Sequence, residues 1–124
     1  MSIDLSALNY FAIIAGGILY MIYGAIYYLI LVGKENQSEG ALKYVISVIV
    51  AFISSFFIAL LVQATNSNNL LEGAMLGGII GILISIVYLK NSLFGLVNKK
   101  NFLIAIGDHL IIFTLLGALH ALFV

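Results

Sequence analysis

The chain contains no cysteine, no proline and no tryptophan. Without cysteine there is no disulfide, no thiol chemistry and no thiolate metal site. Without proline no helix has a built-in kink. Many transporters place broken helices at their substrate sites, and here only glycine can supply that device. Charge is equally scarce. Only 8% of the 124 residues are charged, against roughly a quarter in a soluble domain, so a water-soluble fold is excluded. The formal net charge is zero, which leaves no basic patch for the phosphates of a nucleic acid. There is no G-x-S-x-G, no Walker loop and no H-E-x-x-H, so nothing points to hydrolase, kinase or nucleotide chemistry. The glycine runs lie inside apolar segments, where phosphate cannot sit. The chain reads as a non-enzyme with no cofactor.

What the chain has in abundance is apolar length. Hydrophobic residues make up 64% of it. Four long apolar runs predict spans at about 8–32, 42–64, 70–89 and 102–123, each reaching the ~20 residues that a crossing helix needs. The expected fold class is all-α, with four transmembrane helices in an antiparallel bundle, as one domain over 1–124. The first run lacks a basic leader and an A-x-A-like cleavage site, so it reads as a permanent span rather than a signal peptide.

All the positive charge lies in two gaps. Lys34 and Lys43 bracket the first gap, and Lys90, Lys99 and Lys100 lie in the third. Lysine-rich loops stay in the cytoplasm, so both termini are expected outside. The outer turn Thr65-Asn66-Ser67-Asn68-Asn69 is uncharged and rich in turn formers. The linker 90–100 carries Leu93, Phe94, Leu96 and Val97, the makings of a short amphipathic piece at the inner interface. An offset of 61 places Gly16-Gly17-Ile18 on Gly77-Gly78-Ile79 and Tyr27 on Tyr88. That is the pattern of a parallel tandem repeat, although few other positions match.

Small residues let helices approach in a lipid solvent that does not itself drive them together. Span three carries Gly73, Gly77, Gly81 and Ser85 at four-residue spacing, and span two carries Ser47, Ala51, Ser55 and Ala59, followed by Gln63. Positions four apart share a helix face. The two seams predict close packing of spans two and three on each other, or a homodimer through one of them. Tyr20, Tyr23, Tyr27 and Tyr28 in span one need partners for their hydroxyls, found either in the bundle core or around a polar cavity.

Ionisable groups inside a bilayer are costly and by default functional. Asp108 lies about 10 Å into span four from its inner end, and His109 follows it. The two are about 100° apart around the helix and cannot face one point. They are candidates for a proton or cation pathway; in the structural alternative, Asp108 bonds a tyrosine, a serine or a loop lysine. Glu72 follows Asn68-Asn69, the spacing of a capping box, and a carboxylate suits a helix N-terminus. Asn9, Gln63, Glu72 and His120 share the outer level, where a polar site would form. No metal site is expected, because His109 and His120 are roughly 16 Å apart along one helix.

These residues also carry a family resemblance. Asn9-Tyr10, Gly24-Ala25-Ile26-Tyr27-Tyr28, Gly33-Lys34 and Leu71-Glu72-Gly73-Ala74 resemble domain-of-unknown-function family 1761. So do Ser92-Leu93-Phe94, the run Phe102 to His109, and Gly117. The family's tryptophan before the residue matching Tyr28 is replaced by Tyr27, and its following proline is missing. The resemblance implies a small four-span protein of a bacterial cytoplasmic membrane and implies no activity.

Two functions remain open. One is a bundle that binds or transports a small solute or ion as a homo-oligomer, with Asn9, Gln63, Glu72, Asp108 and His109 as the residues to test. The other is an accessory or interaction subunit of a larger membrane complex, docked through the glycine stripe of span three. The bilayer is the partner in either case, joined by a second copy or another membrane protein.

Overall fold

A computed structural model describes residues 3–124. It contains four long helices: α1 (Tyr10–Leu31), α2 (Leu42–Ala64), α3 (Leu70–Leu93) and α4 (Lys99–Leu122). At 22 to 24 residues each, they are about 33–36 Å long and cover the ~30 Å hydrocarbon core of a bilayer. All four are apolar enough to cross it. The protein is an all-helical, multi-pass membrane protein.

Local chemistry sets the helix ends. Asn9, Asn69 and Asn98 cap α1, α3 and α4, each side chain accepting from the backbone N–H three residues on. The Asn98 cap starts α4 at Lys99 rather than near 102. The other end of this linker is also helical, because α3 continues through Lys90 to Leu93, where a lysine suits the carbonyl end of the helix. The expected amphipathic segment at 90–100 is therefore replaced by two helix ends and a short loop, with Phe94 and Leu96 exposed on it. Gly33 and Gly95, at φ 82° and 80°, stop α1 and α3. They supply the left-handed residue that such helix ends require.

α4 is the hub, packing against all three other helices. α3 lies along α4 for its length and touches α2 only lightly. The expectation that the seams of α2 and α3 meet each other is thereby corrected. Gly73, Gly77 and Gly81 instead face the backbone of α4 at Gly117, Phe113 and His109–Leu110. A glycine seam needs a facing helix that also has a gap, and α4 provides one at Gly117 and Ala121. The α2 seam is used otherwise. Ala51, Ser55 and Ala59 are buried, with Ser55 bonded to the Ile13 carbonyl of α1. Ser47 stays exposed and bonds the Lys43 carbonyl of its own helix. Ser85 likewise bonds the Gly81 carbonyl, at 2.8 Å.

The core is small-grained, as membrane bundles require. Ala12, Ala51 and Ser55 have no exposed surface. Ile58, Val62, Ile112, Phe113, Leu116 and Ala121 form the main apolar cluster. Large side chains such as Phe11, Ile30 and Leu83 point outward, where lipid tails solvate them.

Candidate functional site

The polar residues gather in two places, on opposite halves of the bundle. The first place, in the half nearer the lysine loops, is Asp108. It is only 5% exposed, and the Tyr28 hydroxyl donates to its Oδ2 at 2.6 Å. One turn away, Tyr27 donates to the Ile104 carbonyl at 2.7 Å. Both tyrosines reach from α1 to α4. Tyr27 fits because Gly107 leaves the space its hydroxyl occupies. The rings of Tyr23, Tyr27 and Tyr28 pack in succession, with centroids 5.5 Å apart at each step. The Tyr23 hydroxyl is buried and has no partner among the described residues. A carboxylate has room for about four hydrogen bonds, and Asp108 receives a single one from a side chain.

His109 does not join this site. Its Nδ1 meets the Ala105 carbonyl at 2.7 Å, so Nδ1 carries the proton. Its ring lies between Tyr88 and Phe113, on the side of α4 that faces α3. Adjacent residues of one helix serve different neighbours.

The second place is a cleft of about 380 Å³ at the end of the bundle away from the lysine loops, the end expected to be outer. Asn9, Gln63, Asn66, Asn68 and His120 supply its polar lining. Ala59, Val62 and Gln63 of α2, with Asn66 and Asn68 of the turn after it, form one wall. Asn9 caps Ala12 and donates to the Phe123 carbonyl at 3.1 Å, tying the start of α1 to the end of α4. Gln63 exchanges two bonds with the Asp4 backbone, at 2.8 and 2.9 Å. Each of these two amides thus fastens backbone groups with both its oxygen and its nitrogen.

Glu72 stands apart from the cleft. It accepts from Asn69 Nδ2 at 2.8 Å, and its N–H donates to Asn69 Oδ1 at 2.9 Å. The Asn69 side chain caps the Glu72 N–H as in a capping box, but the carboxylate returns to the Asn69 side-chain amide and the Asn68 N–H rather than to the cap's own N–H. This pairing accounts for the residue without a ligand.

His120 is the residue whose role the sequence conceals. It is 4% exposed and its Nε2 lies 2.9 Å from Ser55 Oγ. Gly16 makes this possible, because a Cβ there would overlap Ser55 Oγ and crowd His120 Nε2. Counting residues from the end of α4 puts His120 at the membrane surface. In the fold it is buried instead, on a cleft shared with Ala7, Leu8 and Asn9 ahead of α1 and with Val62 and Gln63 of α2. Glycine sixteen and the serine of the α2 seam were its signals, but only the fold shows that both face one histidine. Among the described residues no group of three His, Asp or Glu is arranged to hold a metal ion.

The glycine face of α3 is filled by α4 within the same chain. An accessory-subunit reading thus loses the docking face assigned to it. A family model described as a protein of unknown function, DUF1761, matches residues 11–121, most of the chain. No curated protein and no solved structure matches it.

Proposed function

The chain belongs to this family of unknown function, and from the geometry of its buried polar groups we propose that it binds a small cation or proton at Asp108 and carries it across the bilayer. The observation that supports this most is Asp108 itself. A carboxyl group in the middle of a membrane helix is expensive, and register could be fixed by cheaper means such as the α3–α4 glycine seam. Asp108 retains unused acceptor positions, beside a tyrosine hydroxyl that has no partner of its own. Tyr28 donates to it directly, and Tyr27 and Tyr23 pack in succession behind Tyr28.

Ile112, Phe113 and Leu116 fill the interior between Asp108 and the outer cleft. A route through one chain is closed by these side chains. We therefore assign the pathway to a homo-oligomer, with the inner hollow at Leu31, Lys100 and Ile104 as its cytoplasmic entry. In this reading the lysine loops are inside and both termini outside.

The test is ion flux in vesicles containing the purified protein, with H⁺, Na⁺ and K⁺ gradients imposed in turn. Flux of one of these should exceed that of empty vesicles and should vanish in Asp108→Asn, with helicity unchanged. Flux that survives Asp108→Asn, or no flux of any of the three ions, would sink the reading.

A further inference from the structure

The outer cleft contains a hydrogen-bond acceptor that no residue uses. Ser55 has one hydroxyl proton, and it goes to the Ile13 carbonyl at 2.8 Å, which only accepts. At the 2.9 Å contact with His120 Nε2, the serine oxygen must therefore accept and the imidazole must donate. That places the proton of neutral His120 on Nε2 and leaves a bare lone pair on Nδ1. Nδ1 has no partner among the described residues, and it is not among the sealed buried atoms. The ring it belongs to lines the cleft.

The rest of the cleft says what meets that lone pair. No Lys, Arg, Asp or Glu side chain lines it, so no side-chain charge balances a charged occupant. Asn9 and Gln63 are engaged with backbone groups. The side-chain amides of Asn66 and Asn68 are exposed at the rim and make no hydrogen bond within the described residues. Leu8, Val62 and Phe123 supply apolar wall. The volume falls at the small end of the range for small-molecule sites, about 300–1,000 Å³.

We propose that this cleft binds a small uncharged solute that donates a hydrogen bond to His120 Nδ1 and engages the Asn66 and Asn68 amides at its outer end. The solute class is that of neutral amides, ureas and alcohols. This site is separate from Asp108 and stands whether or not the chain moves ions. An acceptor so deep, held in one tautomer from behind by Ser55, selects donors. It rejects solutes that only accept, because two lone pairs would face each other.

Histidine-selective ¹⁵N NMR of the protein in lipid nanodiscs tests this, with acetamide, urea and ethanol as probes and trimethylamine N-oxide as the acceptor-only control. At least one donor should move the His120 Nδ1 resonance saturably, and the N-oxide should not. Asn68→Ala leaves the fold alone, because its side chain is exposed and unbonded, and should weaken the effect about three- to tenfold, as losing one neutral hydrogen bond does. Ser55→Ala should abolish the preference for donors by freeing the tautomer. No saturable shift with any of the three donors overturns the proposal. So does an equal shift with the N-oxide, or an undiminished affinity in Asn68→Ala.

Discussion

Gly73 and Gly117 meet backbone to backbone, each lying where a Cβ on the other would go. Gly77 repeats the contact one turn further in, against the Phe113 carbonyl. The neighbours are backbone atoms, which cannot rotate aside. Adding a methyl group at Gly73, Gly77 or Gly117 must push α3 and α4 apart. Each Gly→Ala change is expected to destabilise the bundle by about 1–3 kcal/mol, the usual cost of overpacking. Gly24→Ala is the control, since its Cβ meets nothing within 4 Å and alanine is the better helix former. Denaturant unfolding in micelles measures both. If Gly73→Ala unfolds with the wild type, the seam is not where the structure puts it.

Tyr28 and Asp108 allow a second test, of how much the buried pair contributes. Tyr28→Phe removes the hydroxyl that donates to Asp108 at 2.6 Å and leaves an unsatisfied buried carboxyl. The expected loss is about 1–3 kcal/mol. Removing both polar partners together, as Tyr28→Phe with Asp108→Leu, should cost less than Tyr28→Phe alone, because nothing buried is then left unpaired. The unfolding midpoints of the three proteins decide it. A double variant weaker than the single one would mean that Asp108 has further partners.

How far the sequence reaches can be judged from these same residues. Helix existence and the caps are local matters. The Asn69 cap on Glu72 could be read directly from their spacing, and α2 begins and ends where its apolar run does. Partner choice is not local. The glycines of α3 announce a close contact without naming the helix that makes it, and Gly117 with Ala121 was the weaker, complementary signal. Asp108 and His109 could be seen to diverge, from the angle between neighbours on a helix. That Asp108 meets Tyr28 required the relative depth of α1 and α4. The Ser55–His120 contact was hidden for the same reason, since Ser55 lies deep in α2 and His120 near the end of α4.

Asp4 gives a prediction about pH. It lies ahead of α1, and its Oδ1 accepts from the Ser6 hydroxyl at 2.6 Å and from the Ser6 N–H at 3.0 Å. The hydroxyl first, and then the backbone N–H, hold its carboxyl below the ordinary value of 3.8. A carboxyl lowered by folding adds stability above its unfolded value, and that contribution is lost as pH falls through the lower folded value. The turn at residues 4–7 should therefore loosen only below pH 3.8. Ser6→Ala removes the larger cause and should move the titration back toward 3.8, while the backbone bond keeps part of the shift. A carboxyl ¹³C titration reads it, and identical curves for the two proteins would show that the hydroxyl does not hold Asp4.

The absence of cysteine makes orientation directly measurable, because any cysteine introduced is unique. The loops 32–41 and 94–98 lie at one end of the bundle, and the turn 65–69 lies at the other. All five lysines flank or occupy the first end and none the second. Orientation follows lysine and arginine in short loops of this kind. With a membrane-impermeant maleimide, Asn68→Cys should label in intact cells. Glu39→Cys and Leu96→Cys, both exposed, should label only after the membrane is opened. The reverse pattern would invert the topology and put the His120 cleft in the cytoplasm. Partial labelling of all three in intact cells would mean that the chain inserts both ways. That result would defeat the charge argument outright, because all five lysines already lie at one end and none at the other.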